Sequence, residues 1–453
     1  MRRPSRPHPR FVKPPRLAAV HLSRAARGAG GGADEDAMSL NRRWFLRGSL
    51  FTGAGLVLGC GDESGVDPSG TGGTAGEGGS PNGAGGAGGG VVEMCDDPFE
   101  GGQSLGTAAF TEPVQVPLNT KIGQGWDARL YYDLMELTPD NLVTPNEKFY
   151  IRTERPDLLT TSPQDWVIRI HGLVGAEVNL TMADLTPLVE PMGVHVLECS
   201  GNSEGGGFGL LSAAEWAGVP FSAVLDMVDV DPAATRVLVS GFDDHSVPSN
   251  GGHSTPGAAW IFTFEDLAAA GAFLATEMNG APLPPDHGEP VRLFIPGWYG
   301  CCNIKWVDTI ELVDESAPAT SQMMEFASRT HQLGVPALAA DYQPATMDQA
   351  AMPVRIEKWL LADGIAYKVV GIMWGGYGLT DQLSISYDGG ATFEPVVVCP
   401  AQSTNQTWTL WEHLWRPPAA GNYDIHMRVD DPAVPQIRLD LGWYDREVFV
   451  DEA

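Results

Sequence analysis

Residues 64–90 are dominated by glycine, with Ser, Thr and Ala between. Side chains this small bury too little apolar surface to offset the roughly 1–2 kcal/mol per residue that ordering a backbone costs. The stretch 61–109 therefore reads as a flexible, Gly-rich tether. It splits the 453-residue chain into a short basic head and a long body. Gly and Pro together (55 and 35) make up about a fifth of the sequence, which excludes a coiled coil and favours strands and loops. No run of 18 or more apolar residues occurs, so no membrane-spanning helix is expected.

The head has its own logic. Asn41-Arg42-Arg43-Trp44-Phe45-Leu46-Arg47 precedes an apolar run that ends Leu56-Val57-Leu58-Gly59-Cys60. Residues 38–60 resemble a twin-arginine (Tat) export signal closed by a lipoprotein cleavage box. The expected product is an exported protein on the periplasmic or extracytoplasmic side, anchored to a membrane by a lipid on Cys60. An ordinary small-residue cleavage site is the alternative. Residues 1–37 read as an over-extended N-terminus, with Met38 opening the signal. The twin-arginine route carries proteins already folded, often around a cofactor, so it raises the expectation of redox chemistry.

Eleven of the 28 Lys and Arg lie before residue 60, with three of the 57 acids, leaving a net −37 on the rest. A face that acidic repels a phosphate backbone, so no nucleic acid partner is expected. The chain has six Cys, at 60, 95, 199, 301, 302 and 399. Setting Cys60 aside leaves an odd number, so at least one is free, a metal ligand or bonded to another chain. There is no C-x-x-C pair, which excludes zinc ribbons, thioredoxin motifs and attached c-type haem.

Residues 110–315 interleave strand and helix patterns without a repeating βαβ period, which predicts an α+β domain. Strands are expected at 165–172, 193–199, 236–241 and 291–295, and helices at 182–189, 222–228 and 265–275. Residues 316–334 read as a connector. Residues 335–453 predict a β-sandwich. Seven short strand patterns (354–361, 367–373, 382–387, 393–398, 407–411, 423–429 and 447–450) recur there between Gly/Pro turns. Asp388-Gly389-Gly390 is a hairpin turn signal between two of them.

Leu197-Glu198-Cys199-Ser200-Gly201-Asn202 puts a thiol at a strand end beside a small-residue loop. A lone Cys is most often simply a core residue, but other fragments keep this one company. Ahead of it lies Asn146–Arg152; behind it lies Glu215-Trp216-Ala217-Gly218-Val219-Pro220. Met278–Pro284, His287-Gly288, Pro290-Val291-Arg292, Ile295–Gly300 and Asn303-Ile304-Lys305-Trp306 come next, in that order. This set resembles the sulfite oxidase family of molybdopterin enzymes over about residues 110–450. Gly371–Gly376 and Ser386–Gly390 are similar to that family's dimerisation domain.

The resemblance implies an α+β molybdopterin-binding domain followed by an immunoglobulin-like β-sandwich, a homodimer, and a molybdenum–molybdopterin cofactor. Cys199 is the implied metal ligand, a soft thiolate suited to a redox metal. The implied cofactor contacts are Tyr150, Ile151, Arg152, Thr153, Glu154, Asp243, His287, Arg292, Asn303, Ile304 and Lys305. Arg152 and Cys199 are the implied catalytic residues. The implied activity is oxygen-atom transfer to a small oxo-accepting substrate, with electrons leaving to a c-type cytochrome attracted by the acidic surface.

Departures from the family pattern bear on substrate. Five residues after the Cys, where sulfite-oxidising members carry Arg, stands Glu204, and Phe326 takes the place of the pocket Tyr. Thr153-Glu154 replaces Asn-His. The C-terminal pocket Arg has no clear match near Asp440 and Leu441. A Glu in the pocket would repel an anion, which leads to an expected substrate other than sulfite, neutral or cationic. A genuine sulfite dehydrogenase is the alternative. A sulfoxide reductase and a non-enzymatic anchored binding protein with a relic cofactor domain are the rival classes. Cys301-Cys302 has no counterpart in this reading; a disulfide to Cys95 or Cys399 is one outcome for either.

Overall fold

A computed structural model describes residues 97–242, 258–376, 378–399 and 403–453. The export signal, Cys60, Cys95 and Asp243 lie outside the described residues.

In strand Val167–Gly172 the side chains alternate, and Ile168 and Ile170 are fully buried. The strand stops at Gly172 for a steric reason. Its φ is +90°, and a Cβ there would lie 2.4 Å from the Leu312 carbonyl. Val167–Gly172 pairs in parallel with Val307–Val313 and antiparallel with Val178–Thr181. Arg236–Gly241 and Ala259–Thr263 complete a mixed five-stranded sheet.

A second sheet is antiparallel, in the order Arg292–Phe294, Phe273–Met278, Leu211–Pro220, Glu190–Glu198, with Ala281–Pro282 paired beside it. Its core strands place Leu197 inward and deliver Cys199 just past the strand end.

Helix Phe264–Ala270 begins with a reciprocal cap in which the Thr263 side chain accepts from Asp266 N–H, an arrangement worth about 1 kcal/mol. It ends at Gly271 in the left-handed region, φ +65°. The helix expected over 265–275 is thus cut short, and Phe273–Met278 is a central strand. An Ala-rich run supports a helix only until a glycine terminates it, and the buried sheet then claims the apolar residues beyond the glycine.

All seven expected C-terminal strands form. They make two antiparallel sheets of four strands. The eighth strand is Gln103–Ala108, which pairs with Ala350–Leu361 at the edge of one sheet. The tether expected to run to 109 therefore ends earlier, and these C-terminal sheets take a strand from ahead of residue 110. Aromatic rings bridge the two sheets. Trp415 stacks on Tyr387 with centroids 4.2 Å apart and meets Tyr423 edge-on at 4.9 Å.

Residues 316–334 are more than a connector. They contain helix Ser321–Phe326, whose Met323 and Phe326 are buried. The sandwich and the first body share one hydrophobic core. Polar ties cross the joint: Trp408 Nε1–H donates to the Leu142 carbonyl at 2.9 Å, and Arg355 donates to the carbonyls of Met135 and Leu137.

Candidate active site

A cleft of about 850 Å³, including its open mouth, lies at the end of strand Glu190–Glu198. Cys199 is on its floor. Tyr150, Arg152, Thr153, His287, Arg292, Asn303, Ile304 and Lys305 also line it. These residues are scattered over more than 150 positions of sequence, and the fold brings eight of the expected contacts to one cavity with the thiol.

Two expected residues stand apart. Ile151 is buried but pairs its backbone with Leu130 outside the cleft lining. Glu154 is held by Lys121 at 2.7 Å and by the Gly125 N–H, so its carboxylate braces the loop from behind.

The Cys199 loop is fixed by its backbone. Cys199 N–H donates to the Leu210 carbonyl at 2.9 Å, and its own carbonyl accepts from Asn202 N–H at 2.8 Å. The neighbouring turn must be glycine. A Cβ on Gly300 would stand 2.6 Å from the Tyr150 hydroxyl and 3.5 Å from the Cys199 Cα. Burial pushes the Cys199 thiol up, while Arg152, the Gly201 N–H and Arg329 pull it down. Cys199, Cys301 and Cys302 are free thiols, and Cys399 is disulfide-bonded. A disulfide at Cys301 or Cys302 is thereby excluded in this structure. Their sulfurs lie 3.8 Å apart.

Arg292 is the most telling cation. It is 4 % exposed, and its guanidinium donates only to carbonyls, His287 O at 3.1 Å and Asn303 O at 3.2 Å. Its Nε has no partner. Burial lowers it to about 10. A buried guanidinium without a carboxylate costs several kcal/mol unless an anion meets it. Lys305 lies on the same wall, over the Trp306 ring, and donates to the carbonyls of Thr153 and Asp286. A phosphorylated pterin suits these two cations, and the Cys199 thiol suits a soft metal carried with it. Among the described residues no group of three or more His, Cys, Asp or Glu is placed to hold a bare metal ion. The donor set therefore fits a metal that brings most of its own ligands.

Asn303 also braces the cleft wall. Its side chain accepts from Ile295 N–H at 2.7 Å and donates to the Trp298 and Tyr299 carbonyls. It shapes the loop that presents Ile304 and Lys305.

His287 is neutral. Burial first, then Lys305 and Arg292, depress it to about 3. Its Nε2 faces the Asn146 carbonyl at 3.1 Å, so that nitrogen carries the proton and Nδ1 is left as an acceptor. Between pH 6.5 and 3 the unfolded chain binds this proton and the folded chain does not. Stability therefore falls as pH drops through that window, by at most about 1.4 kcal/mol per pH unit from this group. Urea midpoints taken from pH 7 to 4.5 should decline, and His287→Gln should flatten part of the decline. An unchanged slope would mean that His287 is protonated when folded.

Glu204 is placed away from the cleft. It opens a short turn, Glu204–Gly206, and the charges around it are Glu112, Arg446 and Glu447. The expected anion repeller is thus not a lining residue. Gly207 and Phe208 both take positive φ, +58° and +56°, and close the turn that returns the chain to Leu210, whose carbonyl meets Cys199 N–H. Phe326 does line the cleft, as expected.

Three residues escape the sequence reading. Arg329 stands beside the thiol: its Nη1 and the Cys199 Sγ lie 3.7 and 3.9 Å from the same point, where a Gly201 Cβ would be. Glu198 and Arg438 form a buried pair behind the Cys loop, 3.6 Å apart. Arg438, a few residues before Asp440 and Leu441, is a C-terminal cation behind the Cys loop and donates to the Ser200 carbonyl at 3.2 Å. Its position relative to Trp443 and Tyr444 is the available signal.

The donor set is that of a cofactor-binding site, and the comparisons with known proteins point the same way. Residues 155–321 match the family described as "Oxidoreductase molybdopterin binding domain". Mitochondrial sulfite oxidase of Macaca fascicularis is 27 % identical over 323 residues, 65 % of this chain and 57 % of that protein. The Homo sapiens protein is 26 % identical over the same shares. An NADPH nitrate reductase of Mycosarcoma maydis is 28 % identical over 218 residues, 41 % of this chain and 21 % of that protein. The matched region thus spans little more than half the length of the sulfite oxidases. The crystal structure of the sulfane dehydrogenase SoxCD from Paracoccus pantotrophus shares the fold, with a TM-score of 0.55 and 20 % identity, over 76 % of this chain and 88 % of that one. The chain carries a molybdopterin-binding oxidoreductase domain related to sulfite oxidases, and its cofactor is molybdenum–molybdopterin.

Proposed function

We propose that this protein is an oxidoreductase of the sulfite oxidase type that transfers an oxygen atom to a small anionic substrate at a Cys199-ligated molybdenum and passes the electrons to an external acceptor. The observation that carries this is the single cleft that gathers Cys199, Arg292, Lys305 and neutral His287. Bound molybdenum–molybdopterin supplies oxygen-atom transfer and two-electron redox chemistry; the chain supplies the rest. Arg292 and Lys305 hold the anionic end of the cofactor, and His287 offers it an uncharged acceptor.

Arg152 and Arg329 flank the thiol and attract an oxyanion. The Arg152 side chain donates to the Trp126 carbonyl at 3.3 Å, and Arg129 braces the Arg152 carbonyl at 2.8 Å, so the cation is aimed before substrate arrives. Trp126 and Phe326 line the cleft with apolar surface that limits water and strengthens the field of both arginines.

The case for a neutral or cationic substrate rests on Glu204. With Glu204 outside the lining, two cations beside the thiol favour an anion, and sulfite is the first to try. The same reading has the mature chain exported, lipid-anchored through Cys60, paired as a homodimer through its sandwich, and oxidised by a basic c-type cytochrome. The twin-arginine pattern and the net −37 beyond residue 59 support it.

The test is molybdenum and pterin content per chain, on protein produced in cells that load other molybdoenzymes. About one of each is expected, with reduction of ferricyanide by sulfite. Metal-free protein from such cells would overturn the reading in favour of a relic cofactor domain.

A further inference from the structure

An oxidoreductase of this kind must pass electrons out of the cleft, and one exposed apolar turn is hydrogen-bonded to the thiol loop. Helix Ile437–Asp440 is a single turn closed by Gly442 at φ +67°. Gly442 N–H donates to the Leu439 carbonyl at 2.8 Å and Trp443 N–H to the Arg438 carbonyl at 2.9 Å. This pair of bonds fixes which side chains turn inward and which outward. Arg438 and Leu439 face in; Ile437, Leu441 and Trp443 face out, 49, 63 and 39 % exposed. Ile437 and Leu441 are four residues apart across one turn, so they share a face.

The patch is joined to the active site by short steps. Trp443 Nε1–H donates to the Asn202 carbonyl at 3.1 Å. Asn202 N–H in turn donates to the Cys199 carbonyl at 2.8 Å. An exposed indole thus sits two hydrogen bonds from the backbone of the metal-binding residue. Asp440, within the turn, is exposed, and the chain as a whole carries net −29.

We propose that Ile437, Leu441 and Trp443 form the docking surface for a basic one-electron acceptor protein. This rests on the redox reading of the cleft and specifies where its electrons leave. A small apolar patch on a strongly acidic chain suits a transient redox encounter, in which area is low and electrostatic steering sets the on-rate. A basic partner is attracted from a distance by the chain's charge, and the apolar trio selects the orientation that puts its cofactor nearest Trp443.

The experiment titrates full-length, cofactor-loaded protein with a basic mitochondrial-type ferricytochrome c by calorimetry at low ionic strength. Leu441→Lys is compared with Leu333→Lys, which places the same charge on another exposed leucine outside the patch. Neither residue belongs to the cofactor site. Leu441→Lys should weaken binding at least about tenfold, with Leu333→Lys close to wild type, and added salt should weaken wild-type binding. Equal weakening by both variants would overturn the proposal, because the net charge alone would then explain binding. So would absence of wild-type binding. Light-scattering masses provide the other check: a dimer that Leu441→Lys converts to monomer would assign the patch to a second copy of this chain and overturn the proposal. Molybdenum measured on the same sample separates the two readings. Metal-free protein that still loses cytochrome binding in Leu441→Lys would count against the redox reading and leave the surface standing.

Discussion

Cys199→Ser is expected to lower turnover by more than about a hundredfold while the protein stays folded. Loss of a group that merely supports a metal ligand commonly costs 10–100-fold, so loss of the ligand itself should exceed that. Serine keeps nearly the shape of cysteine, and the loop is held by backbone bonds to Leu210 and Asn202 that the substitution leaves alone. The chemistry does not survive. A hydroxyl gives up its proton far less readily than a thiol, and its oxygen is a hard donor where the metal needs a soft one. Arg152 and Arg329 ease ionisation of a thiol but cannot bring a serine hydroxyl into the same range. The loss should appear in kcat with KM little changed, because a substrate bound at Arg152 and Arg329 would still meet both. Thiolate-to-metal charge-transfer absorption should disappear, and the melting temperature should stay within a few degrees. A Ser variant that retained full kcat would remove Cys199 from the metal and overturn its assignment. A variant that failed to fold would be replaced by Cys199→Ala, which leaves no donor at all.

Much of the frame was legible in the sequence because local patterns decide it. Alternation gives the strand at Val167–Gly172, and the turn Asp388-Gly389-Gly390 takes positive φ at both glycines, as its composition requires. The loop Asn303-Ile304-Lys305-Trp306 could be aligned by order alone, and Lys305 does reach the cleft. What failed depended on direction. Counting five residues past Cys199 gave Glu204 a place in the pocket, but it opens a turn outside the cleft lining, among Glu112, Arg446 and Glu447. Gly206 lies so close to Tyr131 that a Cβ would approach the ring to 2.5 Å, so packing rather than spacing sets that path. Arg329 beside the thiol and Arg438 behind its loop could not be placed from sequence. Each arrives by tertiary contact from a different segment, and neither segment has a periodicity that marks its inward side. Gln103–Ala108 was missed for a related reason: it is an edge strand with five exposed residues, and glycine within it blurs the alternation.

Arg438→Met is expected to destabilise the protein by about 3–5 kcal/mol, the usual result of removing one member of a buried ion pair. Glu198 is 1 % exposed and sits immediately before Cys199. Its carboxylate accepts from Tyr444 at 2.7 Å, Trp374 at 2.9 Å and Asn202 at 3.4 Å, and Arg438 stands 3.6 Å away. Three neutral donors solvate the charge, but only Arg438 balances it. The same guanidinium donates to the carbonyls of Ser200 at 3.2 Å and Arg329 at 3.0 Å, and it lies over the Tyr299 ring at 4.4 Å. One cation from the sandwich therefore fixes the loop after Cys199 and the backbone of the arginine beside it. Methionine fills similar volume and supplies none of these bonds, so two buried carbonyls lose their donor along with the carboxylate.

Denaturant unfolding measures the loss. Glu198→Gln combined with Arg438→Met should recover much of it, since an amide still accepts from Tyr444 and Trp374 and no charge is left unpaired. Recovery of stability without recovery of turnover would mark Arg438 as a positioning residue for the Cys199 loop. A double variant no more stable than Arg438→Met would show that the carboxylate is not what the guanidinium balances.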